Sequence, residues 1–299
     1  MKKGIDVYGG FRSCTVFGYY FRNGTFVKPR KRISYSTYDE NGNQLTWQDY
    51  NNIGREGDKE TYIYDENGKL IELIGLMADG TIKLWQRKLN SEQGNMIEII
   101  ELFEGDILRA RNTLKYNDNG KVIEWVEYNS LTGETTTDIY KLDDNGFQIE
   151  AEVFDEAGLV IARKEITNNK TGKPIEEIRY DETGTLIWKN IKEYDDNDRL
   201  ISDKRYDANG VLESHESYKY DNQGNTIEET EFNTDGSIKS METYMFNEDG
   251  KEIENTLYGK YGNVISRSLS KYDELGNRIE MIKYKDRDVP EMILDYVYA

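Results

Sequence analysis

The chain has 299 residues and carries 39 Lys plus Arg against 57 Asp plus Glu, a net charge of −18. That balance excludes a generic nucleic-acid binder, which needs a basic surplus for its phosphate contacts. Hydrophobic residues make up 36%, yet 23 Tyr and 9 Phe are present, the composition of a folded chain without one large core.

Residues 1–33 are rich in aromatics (Phe11, Phe17, Tyr19, Tyr20, Phe21, Phe26) and contain an Asn23-Gly24 hairpin signal. Eight basic residues (Lys2, Lys3, Arg12, Arg22, Lys28, Arg30, Lys31, Arg32) stand against Asp6, so this segment is +7 (8 − 1) and the remainder −25 (−18 − 7). The segment is expected to form an N-terminal basic, aromatic cap over the first edge of the array that follows. Its charge also suits self-association with the acidic array of another copy.

Residues 34–299 form a repeat array. From Gly42, steps of 26 land on Gly68, Gly94, Gly120, Gly146, Gly172, Asp198, Gly224, Gly250 and Gly276. Three residues after each stands Leu or Ile, from Leu45 and Ile71 to Ile253 and Ile279. A second series interleaves: Gly54, Gly80, Gly158, Gly184, Gly210, Gly236, Gly262 and Asp288, with Gly105 and Gly133 displaced by one. Segments such as Asp39-Glu-Asn-Gly42 and Asp207-Ala-Asn-Gly210 put Asx first and Gly fourth, the signature of a type I turn closed by a glycine bulge. Asp tolerates the left-handed conformation better than most residues, so Asp198 and Asp288 are acceptable substitutes.

Hairpin turns at this spacing predict antiparallel strands. The residue before a turn should pair with the one two after its glycine, giving Tyr64 with Leu70, Tyr180 with Leu186 and Phe232 with Ile238. Period-two counting places the tyrosines on one face and the Leu/Ile ladder on the other. With gaps of 12 and 14 between turns, equivalent positions slip by two residues every two strands, a slope of roughly 35°. The predicted fold is all-β: an extended antiparallel hairpin array of about twenty strands with a 26-residue double-strand repeat, coiled or spiralling as an open sheet. Met292, Leu294, Tyr296 and Tyr298 carry the alternation to the C-terminal end.

The units Tyr64-Asp-Glu-Asn-Gly-Lys-Leu70, Tyr180-Asp-Glu-Thr-Gly-Thr-Leu186 and Tyr206-Asp-Ala-Asn-Gly-Val-Leu212 resemble the YD repeats of the bacterial RHS family. The resemblance covers about residues 34–299 and implies a coiled β-sheet shell in a bacterial, often surface-exposed or exported protein. The repeat is longer than the usual RHS unit, and neither an autoproteolytic core nor a toxin tail is evident. A weaker resemblance is to the glycine-punctuated repeats of MORN-related, antitoxin-like proteins.

The chemistry offered by the residues is thin. One Cys, Cys14, and one His, His215, leave no disulfide framework, no thiolate or imidazole metal cage and no multi-histidine centre, so neither enzyme nor cofactor is expected. The Glu row Glu72, Glu98, Glu124, Glu150, Glu176, Glu228, Glu254 and Glu280 marks a solvated face or a surface for cations or a basic partner. Asn233, Asp235, Gly236 and Glu242 approach calcium-loop spacing, but Glu231 sits at the first ligand position and ordinary Asx turns explain them. Trp47, Trp85 and Trp125 each lie five residues after a turn glycine, which makes them candidate binding residues, either a sugar-stacking set or filling for a curved sheet.

The expected function is a non-enzymatic bacterial scaffold or binding surface for a protein or glycan partner. Alternatives are an immunity or antitoxin-like protein neutralising a basic effector, and a carbohydrate-binding protein. No apolar run approaches the roughly 18 residues of a spanning helix and the first 30 residues lack a signal h-region, so no membrane span is expected. The location read from this is cytoplasmic for the chain as given, or surface or exported if a leader was removed.

Overall fold

The structure is a computed structural model that describes residues 10–22, 25–27, 29–51, 53–91, 95–285 and 290–299. Lys2, Lys3, Asp6, the Asn23-Gly24 signal, Lys28, Gly94 and Asp288 lie outside the described residues. All 23 strands belong to one sheet. They are β1 (Ser13–Arg22), β2 (Thr25–Phe26), β3 (Lys31–Tyr38), β4 (Gln44–Tyr50), β5 (Glu56–Tyr64), β6 (Leu70–Leu76), β7 (Ile82–Asn90), β8 (Met96–Phe103), β9 (Ile107–Tyr116), β10 (Val122–Asn129), β11 (Glu134–Leu142) and β12 (Gln148–Phe154). The series continues with β13 (Val160–Asn168), β14 (Pro174–Asp181), β15 (Leu186–Tyr194), β16 (Leu200–Asp207), β17 (Leu212–Tyr220), β18 (Thr226–Phe232), β19 (Ile238–Phe246), β20 (Glu252–Gly259), β21 (Val264–Tyr272), β22 (Arg278–Tyr284) and β23 (Pro290–Tyr298).

The hairpins form as the glycines dictate. In the first, the Gly42 amide donates to the Asp39 carbonyl at 3.2 Å, Asp39 Oδ1 accepts from the Asn41 and Asn43 amides, and Gly42 has φ 82°. Tyr64 pairs with Leu70 and Tyr180 with Leu186, each across a bulge that absorbs the next residue. Asp203 faces Lys192 on one side and Glu216 on the other, residues 24 apart (216 − 192), where the repeat is 26. The predicted slip is therefore present, and its slope lies in the range that barrels need.

The sheet nevertheless does not remain open. β1, which lies outside the 26-residue register, pairs with β3 from Ser13 opposite Thr37 to Gly18 opposite Lys31. Its other edge pairs with β23, from Cys14 opposite Tyr298 to Tyr20 opposite Met292. With β2 set aside as a two-residue spur on β1, 22 strands (23 − 1) close into a single barrel. This corrects the expected open, coiled array and the open architecture implied by the RHS/YD and MORN-like resemblances. The physical reason is edge satisfaction: one strand supplies donors and acceptors to both ends of the ladder, which would otherwise stay unpaired.

Two units divide the chain. Unit 1 comprises Met1–Trp85, Tyr220–Glu228 and Ser240–Ala299, and unit 2 comprises Gln86–Lys219 and Glu229–Lys239. Unit 1 contains the closure and its small core of Cys14, Val16, Tyr38 and Leu294, against which Ile33, Met281, Met292, Tyr296 and Tyr298 pack. Burial pushes the Cys14 thiol up to about 11, partly offset by its hydrogen bond with Tyr298. The segment expected as a cap thus supplies the closing strand. Arg30 pairs with Asp295 at 3.4 Å and lies over the Phe17 ring, and Arg32 lies over Tyr50. Arg30 and Arg32 are thus engaged within their own chain.

The expectation of no membrane span also falls. No helix among the described residues is long and apolar enough to cross a membrane, but that test addresses helices. A closed ladder pairs its backbone groups without one.

Tyr64, Tyr116, Tyr194 and Tyr272, before turns of the first series, and Tyr298, at the end of β23, act as clasps between hairpins. Tyr64 Oη donates to the Gln44 carbonyl, Tyr272 Oη to Glu252 and Tyr298 Oη to Arg278 in unit 1, at 2.8 to 3.0 Å. In unit 2 Tyr116 does the same to Met96 at 2.6 Å and Tyr194 to Pro174 at 3.0 Å, while Asn168 Nδ2 reaches Gln148 at 2.7 Å. Every clasp spans 20 residues and bonds the first residue of the preceding even-numbered strand.

Two measurements check this account by chemical unfolding. A Cβ on Gly18 of β1 would meet Ile33 Cγ1 and Cδ1 at 2.9 Å, so Gly18→Val is expected to lose about 1–3 kcal/mol of stability through overpacking at the closure. Tyr194→Phe keeps the ring and removes the clasp to Pro174, with an expected loss of about 0.5–1.5 kcal/mol.

Candidate functional site

The two faces of a strand can be assigned from the pairings, since residues directly opposite each other point the same way. In unit 2 one face carries Asp138 of β11, Lys164 of β13, Glu177 and Arg179 of β14, Lys192 of β15, Asp203 of β16 and Glu216 of β17. The other carries Lys115, Glu124, Lys141, Glu150, Glu176 and Lys189. Long side chains tell the faces apart. Lys164 is 28% and Lys192 20% exposed, against 66% for Lys115 and 69% for Lys141. The first face is sheltered and the second open.

On the sheltered face acid and base interleave. Lys164 Nζ bonds Glu177 at 3.1 Å, Lys192 pairs with Asp203, and Tyr218 Oη donates to Glu216 at 2.5 Å. Burial raises the Asp138 carboxyl above its ordinary value, against the Tyr140 hydrogen bond and the nearby Arg179 and Lys164 charges. Burial likewise lifts the Tyr140 hydroxyl to about 12, helped by Asp138. The row is a set of half-hydrated, mutually compensated charges that can exchange partners with a polar solute.

The open face is charged as well. Its Glu row is matched from neighbouring strands: Glu98 by Arg111 at 3.1 Å, Glu124 by Lys115 at 2.9 Å and Glu150 by Arg163 at 3.4 Å. In unit 1 Arg267 bonds Glu254 at 2.7 Å, and that contact holds the carboxyl below its ordinary value. These acids are paired within the chain. The described strands of unit 2 thus carry charge on both faces.

The tryptophans do not share a platform. Trp47 pairs across from Ser36 on the sheltered face of unit 1, whereas Trp85 turns to the open face and donates its indole N–H to Glu72 at 2.6 Å. Trp125, in unit 2, is on the sheltered face and donates to Asn112 at 3.1 Å. Gly42 and Gly120 belong to one turn series and Gly80 to the other. The two series close opposite ends of the strands, and each bulge shifts the alternation, so the same offset of five lands on opposite faces. The same shift splits the pre-turn tyrosines: Tyr64 is sheltered, and Tyr180 is open, bonding Glu165 at 3.2 Å.

His215 stacks on Phe232, centroids 4.4 Å apart, and burial lowers its pKa. Its Nε2 is 3.5 Å from Ser202 Oγ, beyond the reach of a nucleophile and base. Asp235 of the calcium-like window accepts from the amide and hydroxyl of Ser237. Among the described residues no group of three His, Cys, Asp or Glu could hold a metal ion.

Asp198 replaces the turn glycine with φ 62° and uses its side chain. It accepts from Asn169 Nδ2 at 2.8 Å and Thr171 Oγ1 at 2.7 Å, and pairs with Lys173 at 3.2 Å, tying one turn of unit 2 to the next. An open groove of about 590 Å3 lies beside it, lined by Thr167, Ile175, Ile191, Glu193 and Asp195 among others.

No family model matches the chain, and no curated protein does. Among solved structures, a porin-like protein from Bacteroides uniformis is 10% identical, with 97% of this chain and 98% of that chain covered at a TM-score of 0.35. A porin-like protein from Bacteroides vulgatus is 8% identical, with coverage of 95% and 97% and a TM-score of 0.20. The TcdB2-TccC3 structure is 11% identical, with 93% of this chain and 19% of that chain covered at a TM-score of 0.33. The chain thus spans about a fifth of the TcdB2-TccC3 chain. At these scores the likenesses carry no family, and the architecture rests on the strand pairings. The closed barrel replaces the expected repeat-array scaffold, with its antitoxin and glycan-binding alternatives.

The Thr171 hydroxyl, with Asn169 and Lys173, holds the Asp198 carboxyl below its ordinary 3.8. A lowered carboxyl pKa contributes stability that is complete above the unfolded value and lost as pH falls through the folded one. The advantage of the native chain over Asp198→Asn in urea midpoint is therefore expected to be full at about pH 6 and to shrink below about pH 4.

Proposed function

We propose that this protein is a non-catalytic, exported β-barrel of transport type that holds small zwitterionic solutes against its sheltered face. The observation that supports this is the interleaving of Lys164, Glu177, Lys192, Asp203 and Glu216 on one face of consecutive strands in unit 2. A zwitterion can replace both partners of such a pair at once. A singly charged solute would strand one of them, at the cost of a half-buried unpaired charge. The neighbouring Tyr140 and Tyr218 hydroxyls add donors along the same face.

Equilibrium dialysis of the full chain against labelled glycine, with acetate and methylammonium as singly charged comparators, tests this reading. Glycine is expected to be retained about tenfold better than either, a difference of about 1.4 kcal/mol. Lys192→Gln combined with Asp203→Asn should abolish the preference without changing the β-sheet circular dichroism. Equal retention of all three solutes, or of none, overturns the proposal, as does fractionation that finds the protein only in the cytoplasm of its source cells.

A further inference from the structure

Antiparallel hairpins put alternate turns at opposite edges of a sheet, and in unit 2 the two edges differ in chemistry. The β9–β10, β11–β12, β13–β14 and β15–β16 turns are tipped by Asp118-Asn119, Asp144-Asn145, Lys170-Thr171 and Asp196-Asn197. At the other edge four of the six turns carry an aliphatic residue, Ile107 after β8, Leu131 between β10 and β11, Leu159 between β12 and β13, and Val211 between β16 and β17, while the β14–β15 and β18–β19 turns are polar. The four aliphatic residues are 62%, 69%, 65% and 58% exposed. Three of them donate their backbone amides to an Asx side chain of the same turn, Leu131 to Asn129, Leu159 to Asp155 and Val211 to Asp207, at 2.8 to 2.9 Å. Those three turns could therefore immerse a side chain without exposing an unsatisfied amide there.

We infer that this edge seats on the interfacial layer of a bilayer whose headgroups are zwitterionic and end in a cationic ammonium group. Successive turns on one edge are two strands, or about 10 Å, apart. Single side chains at that spacing do not make the contiguous core of a protein interface, whereas fluid acyl chains close around separate protrusions. While Asp106 pairs with Arg87 at 3.7 Å, other carboxylates flank three of the four tips: Glu104 beside Ile107, Asp155 and Glu156 beside Leu159, and Asp207 beside Val211. They complement an outward-facing ammonium and repel an anionic surface. This inference is independent of the solute-holding reading, which concerns the sheltered strand face.

Flotation of the full chain with vesicles of phosphatidylethanolamine and phosphatidylcholine tests it. Co-flotation is expected, with markedly less on vesicles rich in phosphatidylglycerol. Replacing Ile107, Leu131, Leu159 and Val211 together by Ser should lower partitioning by about 100-fold or more, with circular dichroism and glycine retention unchanged. Should that variant not fold, Leu131→Trp alone serves, since its fluorescence should shift to the blue on the zwitterionic vesicles only. Absence of flotation, a preference for anionic vesicles, undiminished flotation of the folded fourfold variant, an unshifted Leu131→Trp spectrum, or concentration-dependent dimerisation through these tips each overturns it.

Discussion

The structure depends on β1 pairing along both of its edges. Every other strand of the ring finds its neighbours through a short turn, so those ladders are local. The first and last strands of such a series have no local partner for their outer edges, and an exposed row of amides and carbonyls invites pairing with other chains. β1 satisfies both rows, against β3 and β23, and brings Cys14 and Val16 onto Tyr38 and Leu294. The surrounding strands can then remain thin, charged and poor in apolar residues.

Much of the local structure was legible in the sequence because turn chemistry is local. The glycine series placed the hairpins, the Asx residues named their hydrogen bonds, and the alternating spacing gave the register slip, which recurs in the pairs made by Asp203. Closure was not legible, because residues 13–22 lack the repeat and their partners are chosen by edges formed far away in sequence. The faces were only half legible. Strict alternation fails at each bulge, so Trp85 separates from Trp47 and the tyrosines divide between faces. The sheltered row of Lys164, Glu177, Lys192 and Asp203 carries no motif, and appears only when register is applied strand by strand.

Charge has a different meaning in this arrangement from the one that net composition suggests. On the strands, acids stand opposite bases from the next strand, and exposed pairs of that kind contribute only about 0–1 kcal/mol each. Their effect is mainly to keep both faces wet. The turns hold much of the unmatched acid, as in Asp143-Asp144, Asp155-Glu156 and Asp273-Glu274, so the potential is concentrated at the ends of the strands, where solutes and surfaces first meet the protein.

The pairing of Cys14 with Tyr298 joins residues 284 positions apart (298 − 14). Hairpins can form one at a time as the chain emerges, each closing a loop of a few residues, but the ring cannot shut until its final strand has appeared. The loop entropy of that one step grows only logarithmically with length, yet until it occurs two edges remain available to other chains. The hairpins are therefore set by local turns and the closure by topology, and protection of the sheet edges in this chain depends on that single long-range pairing.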